Sequence, residues 1–351
     1  MSELVEPIPT RMRALMYRGV RNLEVVELPV AEVGAEDALL EVSHCGICGT
    51  DLHIALEGLS PPDRVVGHEY SARVVAVGSE VAGWRAGDKV VPKPSPSCGR
   101  CHCCRAGRPS LCALRAPLGG EGEPDSGAFA EYVRVRARDL LAIPEGLDLR
   151  TAALAEPLAV ALHGITLSGA APGDRVLVTG AGPIGLLTIA GLRALCIDDI
   201  SVTEPSALRR ERAGRLGAKT VLDPSELEVP VMPFTTADSP FDVALECSGN
   251  PRAMESALGQ LRRMGTLVLV GTGMQRPKFD HNRILLNELV VTGAYCYDDQ
   301  GMERSLELLA SGRIPADLLI EPEDVPLDGM LEAAERCAAG ELAGKVLVVP
   351  R

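Results

Sequence analysis

Aromatic residues are scarce in this chain. One tryptophan, five tyrosines and four phenylalanines make up 3% of it, so a binding pocket dominated by ring stacking is not expected. No apolar run is long enough to cross a bilayer, which takes roughly 20 residues. The longest candidate, Leu186 to Ile197, is interrupted by Thr188, Gly191 and Arg193. Basic charge is not in excess either. The net charge is −13, which argues against a nucleic-acid partner and for solubility. The first residues, MSELVEPIPTRMRALMY, carry acids and no apolar core of the kind an export signal needs. There is no internal repeat and no low-complexity tract. These absences point to a cytoplasmic protein with no membrane contact.

Cysteine, by contrast, is plentiful. Eleven occur in 351 residues. Without an export signal they imply reduced thiols, used for metal binding or catalysis rather than for disulfides. The length suits two domains rather than one core. With 46% hydrophobic and 24% charged residues the composition is that of an ordinary globular protein.

The first third has short strand-like runs at Arg13–Tyr17, Leu23–Leu28, Ala38–Val42, Arg64–Val77 and Lys89–Pro92, punctuated by stretches such as GWRAGD and KPSPSCG. That predicts a small β-rich domain. Beyond about Leu154 the pattern changes. Arg175–Thr179 reads as a strand buried on both faces, followed by a helix over Ile184–Leu195. Further strands are expected at Ile200–Thr203, Lys219–Leu222, Phe241–Glu246, Thr266–Val270 and Leu289–Gly293, with helices at Ala207–Leu216 and Arg252–Met264 among the connections. This alternation predicts a doubly wound parallel sheet, hence an α/β chain with a β-rich second domain. Gln300–Ser311 and Leu327–Ala339 read as helices and KVLVVP as a final strand that returns to the first domain. The expected division is 1–157 with 297–351 for one domain, and 158–296 for the other.

Between the first strand of the second domain and its helix lies GAGPIG, residues 180–185. Gly180 permits a tight turn, Gly182 lets a pyrophosphate approach the backbone, and Gly185 lets helix and strand pack closely. The helix start, Pro183 and Ile184, offers N–H groups and a positive dipole end to phosphates. Glu204 follows Gly185 by nineteen residues, at the end of the second strand. An acid there accepts from both adenosine ribose hydroxyls and repels a 2′-phosphate, favouring NAD over NADP; its rival reading is a solvated loop acid. Arg209 and Arg210 pull the other way, since arginines there can hold a 2′-phosphate. Ser248 and Gly271, each just past a strand, are further candidates for cofactor contact.

Cys98, Cys101, Cys104 and Cys112 have the spacing C-x2-C-x2-C-x7-C. Four thiolates so placed can enclose one tetrahedral zinc and cross-link a lobe, about residues 95–115, that has few apolar residues. An iron–sulfur cluster is the rival, although two-cluster ferredoxins space their cysteines differently. Cys103 is left over.

Taken in order, HCGICGTDLH (44–53), GHEYSARVVAVG (67–78), the cysteine lobe, AEPLAVALHG (155–164) and GAGPIG resemble the zinc-containing medium-chain dehydrogenase/reductase family, which includes alcohol, sorbitol and threonine dehydrogenases. The resemblance covers nearly the whole chain. It implies a GroES-like catalytic domain, a Rossmann NAD(P)-binding domain, and two zincs per chain, one catalytic and one structural. By the family pattern Cys48 and His68 are catalytic zinc ligands, and either Glu156 or Glu69 supplies the third. A second cysteine holds that third place in the alcohol dehydrogenase branch, so its absence leans the substrate toward polyols, sugars or other secondary alcohols. Asp51 would orient the zinc-bound histidine, and Thr50 and His53 would relay the alcohol's proton, by way of a cofactor ribose hydroxyl, to solvent. Ile54, Tyr70, Tyr295 and Tyr297 occupy pocket-lining positions of the family. Cys45 is expected to be a buried thiol, His44 and His102 surface histidines, and His163 a packing residue. Leu289–Ala294 resembles the edge strand through which such domains pair, implying a homodimer or homotetramer. The expected reaction is oxidation of a CH–OH group, or the reverse, with NAD. The alternatives are a primary-alcohol or aldehyde enzyme of this family, a zinc-free quinone or enoyl reductase of the same fold, and a non-catalytic zinc- and nucleotide-binding protein.

Overall fold

The computed structural model describes residues 7–93, 97–113 and 127–351. The N-terminal stretch read for an export signal, through Glu6, and the margins of the cysteine lobe at 95–96 and 114–115 lie outside them. Contacts divide the chain into two compact units. One comprises Met1–Glu156, Pro322–Ala338 and Val346–Arg351; the other comprises Pro157–Glu321 and Ala339–Lys345.

The first unit is built from strands β1 (Arg11–Gly19), β2 (Asn22–Pro29), β3 (Asp37–Gly46), β4 (Arg64–Val65), β5 (Glu69–Val77), β6 (Lys89–Pro92), β7 (Tyr132–Arg136) and β8 (Leu140–Ala142). β1 pairs with β2 and β4 in one small sheet, and β3 is central to another, flanked by β5 and β7. Alternation along β1 buries Met12, Ala14 and Met16 against Leu39, Val65, Ala130 and Tyr132. The continuous run expected over Arg64–Val77 is broken at Gly67, whose φ of +103° only glycine adopts without strain.

The second unit holds six parallel strands: β9 (Arg175–Thr179), β10 (Asp199–Thr203), β11 (Thr220–Leu222), β12 (Phe241–Glu246), β13 (Leu261–Leu269) and β14 (Val290–Gly293). Their spatial order, β11-β10-β9-β12-β13-β14, reverses direction between β9 and β12. This is the doubly wound Rossmann order; in sheets of this kind ligands bind at such a reversal, beyond the carboxyl ends of the strands. One core cluster packs Leu177, Ala244 and Leu267 of the sheet against Ala257 and Leu258 of the helix Pro251–Gly259.

Two details depart from the sequence reading. The helix expected to reach Met264 stops at Gly259, because Leu261 already pairs with Phe241 in the sheet. The crossover from β11 to β12, where the sequence reading named no helix, carries a short turn, Pro224–Glu226. Arg283, buried in the helix His281–Asn287, donates to the carbonyls of Pro230, Met232 and Thr235 and so braces that crossover. Finally, the second unit runs on to Glu321 rather than ending near 296. The helix Gly301–Ala310 buries Met302, Leu306, Leu308 and Leu309, and Arg313 donates to the carbonyl of Ala194. The chain then supplies β15 (Val325–Pro326), the helix Met330–Ala338 and β16 (Leu347–Val349), which pairs with β3 in the first unit.

Candidate active site

Strand register assembles the first cluster. β3 runs antiparallel to β5, with Cys45 opposite Tyr70 and Gly46 opposite Glu69. Cys48 follows β3 by two residues, and His68 precedes β5 by one, so this register brings the three side chains together. The ligand atoms of Cys48, His68 and Glu69 all lie within 4.8 Å of one another. Gly67 makes the approach possible, since a Cβ there would stand 2.9 Å from the Phe129 nitrogen and 3.0 Å from Cys45 Sγ.

Cys48 begins a single helical turn, Gly49–Leu52. The buried Asp51 carboxylate accepts from the Cys48 N–H at 2.9 Å, which fixes the cysteine at the turn's start. Burial works against charge on His68, but the Cys48 sulfur, Asp51 and Glu156 outweigh it and raise its pKa well above the ordinary value. The same field favours a divalent cation. Sulfur, imidazole nitrogen and carboxylate oxygen are the donor set of a zinc site with a fourth position left for water or substrate. Glu156, in the first turn of the helix Ala155–Ser168, acts on His68 through its charge but is not one of the three clustered ligands. Asp51, expected to orient His68, makes its described bond to the Cys48 backbone and reaches the histidine electrostatically.

Thr50 lies in the same turn, half-buried. His53, next along, meets Glu57 at 3.0 Å through Nδ1. Ile54 and Tyr70 are buried in this unit. Cys45 is buried as expected. His44 is less of a surface residue than its reading implied: Ser43 Oγ lies 2.9 Å from its Nδ1, Asp324 lies 3.5 Å from its Nε2, and burial lowers its pKa.

The cysteine lobe gathers Cys98, Cys101, Cys104 and Cys112, with sulfur–sulfur separations of 3.4 Å (Cys101–Cys104), 3.9 Å (Cys98–Cys104) and 4.0 Å (Cys101–Cys112). Four sulfurs held ~2.3 Å from one ion at tetrahedral angles stand about 3.8 Å apart, so the residues fit zinc. Backbone N–H groups of Cys104 and Ala113 lower the Cys101 thiol to about 6, while burial and its neighbouring thiols raise Cys104 to about 11. Cys103 turns away to His102, 3.2 Å from its Nε2.

In the second unit the glycine turn has the expected form. Gly180 has φ +89°, and a Cβ at Gly185 would lie 1.9 Å from the Gly180 oxygen. The helix Pro183–Ala194 starts directly after Gly182. Glu204 is no solvated loop acid. It is buried, and its two oxygens accept from Ala181 N–H at 2.8 Å and Ser206 N–H at 2.9 Å, locking it to the turn. The two arginines part company. Arg210 donates to the carbonyls of Glu204 and Pro205 and to Asp223. Arg209 donates to the Leu342 carbonyl at 3.0 Å and sends Nη1 to 3.9 Å from where a Gly182 Cβ would be. Ser248 and Gly271 also converge here: a Cβ on Gly180 would meet Ser248 Cβ at 2.8 Å, and one on Gly271 would meet Ser248 N at 2.8 Å. Tyr297 is buried and Tyr295 exposed.

Comparison with known proteins decides the family. Residues 34–145 match the alcohol dehydrogenase GroES-like domain, and residues 183–311 match the zinc-binding dehydrogenase domain. The chain is 32% identical over 344 residues, 95% of either chain, to sorbitol dehydrogenase of Bacillus subtilis (strain 168). The chain belongs to the zinc-containing medium-chain dehydrogenase family. This medium-chain dehydrogenase is an oxidoreductase of the alcohol dehydrogenase type, with a GroES-like and a Rossmann domain. It is also 35% identical over 336 residues, 92% of this chain and 94% of the other, to L-threonine 3-dehydrogenase of Pyrococcus abyssi (strain GE5 / Orsay). Among solved structures it resembles a zinc-binding-dehydrogenase-type protein of Sinorhizobium meliloti 1021 bound to NADP, with a TM-score of 0.86 and 33% identity, covering 97% of this chain and 100% of that one. No described helix of the dehydrogenase is long and apolar enough to cross a membrane.

Besides Arg283, two buried charged groups escaped the sequence reading. Lys345 is 2% exposed and sits on the segment Ala339–Lys345. Glu246 closes β12, Phe241–Glu246, with no solvent exposure at all. Neither lies in a motif. An acid at the end of the run VALE, two residues before a Ser-Gly pair, is the one hint the sequence held for Glu246.

Proposed function

We propose that the chain is a zinc-dependent dehydrogenase that oxidises a secondary alcohol, polyol or sugar-like hydroxyl to a ketone, or reduces the ketone, with NAD as hydride carrier. The observation that carries this reading is the cluster of Cys48, His68 and Glu69 set by the β3–β5 register. Glu69 is the resting third ligand, with Glu156 lending its charge nearby. When bound, zinc supplies the positive charge that eases loss of an alcohol proton, and nicotinamide supplies the hydride acceptor.

The chain's own groups do the rest. Asp51 holds the Cys48 backbone, so the sulfur keeps its direction. Thr50 Oγ1 accepts a proton from the alcohol while donating its own onward, as a hydroxyl can do both. His53, steadied by Glu57, passes the proton to solvent. The cysteine lobe carries the second, structural zinc. Glu204 accepts from the adenosine ribose hydroxyls with the lone pairs that Ala181 and Ser206 leave over, and its charge disfavours a 2′-phosphate. Arg210, committed to Asp223 and two carbonyls, does not offset that charge. β14 is the outer strand of the six-stranded sheet, with Val290 exposed on it and Leu285 and Leu286 exposed on the helix His281–Asn287 before it, which supports a homodimer or larger homo-oligomer formed along this edge.

A panel of polyols, sugars, and secondary and primary alcohols, assayed by absorbance of the reduced cofactor with NAD and with NADP, tests the reading. Turnover with a secondary alcohol or polyol and NAD is expected. Turnover confined to primary alcohols would move the substrate class, and no reduction with any alcohol alongside tight nucleotide binding would favour the non-catalytic alternative.

A further inference from the structure

A carboxyl group buried in an apolar sheet demands partners, and Glu246 has them. At the end of β12 its Oε1 accepts from Ser248 N–H at 2.7 Å, from the Ser248 hydroxyl, and from Gly249 N–H at 3.1 Å; Oε2 shares the Gly249 N–H at 3.1 Å. Burial raises the pKa of the group, while those donors oppose the rise. Its backbone oxygen is also engaged, accepting from Val270 N–H at 2.8 Å and Gly271 N–H at 2.9 Å. One residue thus ties together the turns that follow β12 and β13.

Those turns leave no slack. Gly249 has φ +69°, and a Cβ on it would lie 2.0 Å from the Thr272 oxygen. A Cβ on Gly271 would lie 2.3 Å from Gly249 N, and one on Gly180 would lie 2.8 Å from Ser248 Cβ. The glycine turn after β9, the Ser248–Gly249 turn and the Gly271 turn pack backbone to backbone. Sheet order then says which part of a dinucleotide each serves. Glu204 ends β10, on one side of the reversal, and belongs to the adenosine half. Ser248 and Gly249 follow β12, on the other side, and belong to the nicotinamide half.

We infer that Glu246 is a positioning residue for the nicotinamide half of the cofactor: its carboxylate holds the Ser248–Gly249 turn at the height where that half binds against Gly180. The inference rests on the reading of residues 180–185 as a dinucleotide turn. It gives Glu246 no contact with substrate or reacting atoms.

Glu246→Gln tests it, because the amide keeps the shape and one acceptor but cannot accept from every donor. The full chain is titrated with NADH and, separately, with AMP, which occupies only the adenosine half. NADH is expected to bind about tenfold more weakly, the loss of one charge-assisted hydrogen bond, with AMP affinity within about twofold of wild type. The KM for NAD should rise by the same factor, and the KM for the alcohol at saturating NAD should hold. Unchanged NADH affinity would overturn the inference. So would equal losses for NADH and AMP, which would make Glu246 a general support of the unit. Glu246→Asp carries the same test, with the same two outcomes, should the amide variant fail to fold. A wild-type chain that binds neither NADH nor AMP would overturn the dinucleotide reading and this inference with it.

Discussion

Replacing Glu204 by alanine probes the cofactor choice most sharply, because the structure sets two opposed consequences. The first is a loss. Ala181 N–H and Ser206 N–H both donate to this carboxylate, at 2.8 and 2.9 Å. A buried donor left without its acceptor costs about 1–3 kcal/mol. Solvent entering the space moderates this, so a net destabilisation of about 2 kcal/mol is reasonable, or roughly 4–8 °C in melting temperature for a domain of this size. NAD loses its ribose acceptor as well. The second consequence is a relief. At about 5 Å and an effective dielectric of about 40, two like unit charges repel by roughly 1.7 kcal/mol. A 2′-phosphate carrying nearly two charges therefore gains about 3 kcal/mol when Glu204 goes. That relief alone should lower the ratio of kcat/KM for NAD over NADP by about a hundredfold, each tenfold being 1.4 kcal/mol, and the lost ribose contact lowers it further. Initial rates with both cofactors on one alcohol measure it. An unchanged ratio in a folded variant would refute the assignment of the ribose contact to Glu204.

Other outcomes follow from the same geometry. Thr50→Ala should lower kcat by about 10²–10⁴ with NAD affinity nearly unchanged, since general acid–base transfer contributes that much; a loss shared equally by kcat and NAD affinity would remove the threonine from the proton path. Gly67→Ala must place a Cβ 2.9 Å from the Phe129 nitrogen at φ +103°, so it should cost several kcal/mol, seen as a lower melting temperature, and reduce metal retention at Cys48 and His68. Val290→Lys, on the exposed side of β14, should shift the chain toward a monomer by light scattering if copies pair along that edge; an unaltered mass would place the interface elsewhere.

Much of this architecture is readable from residue pattern. RVLVT followed by glycine and then a largely apolar run names β9, the turn and its buried helix nearly to the residue, because burial on both faces and a left-handed turn each demand particular side chains. The four lobe cysteines are legible for the same reason, since thiolates at that spacing do little else. What pattern cannot carry is pairing. Arg262, Arg263 and Met264 suit a helix as well as a strand, and only the pairing of Leu261 with Phe241 decides for β13. Glu69 and Glu156 look equally fit as ligands in sequence. The register that sets Glu69 opposite Gly46 brings Glu69 to the sulfur and imidazole. Glu246 was hidden because its role depends on turns that follow other strands. The passage of Gly301–Ala310 into the second unit depends likewise on packing that no local motif announces.

The central claim is that Cys48, His68 and Glu69 hold a zinc ion that the reaction needs, apart from the zinc of the four-cysteine lobe. Metal content of the purified chain, measured together with alcohol-dependent NAD reduction for wild type and for Cys48→Ala, tests it directly. The account predicts two zinc ions per wild-type chain, and one in the variant, which keeps its fold and its NADH binding but has no turnover. One or no zinc in the wild type, or a Cys48→Ala variant that retains both ions and its activity, would contradict it.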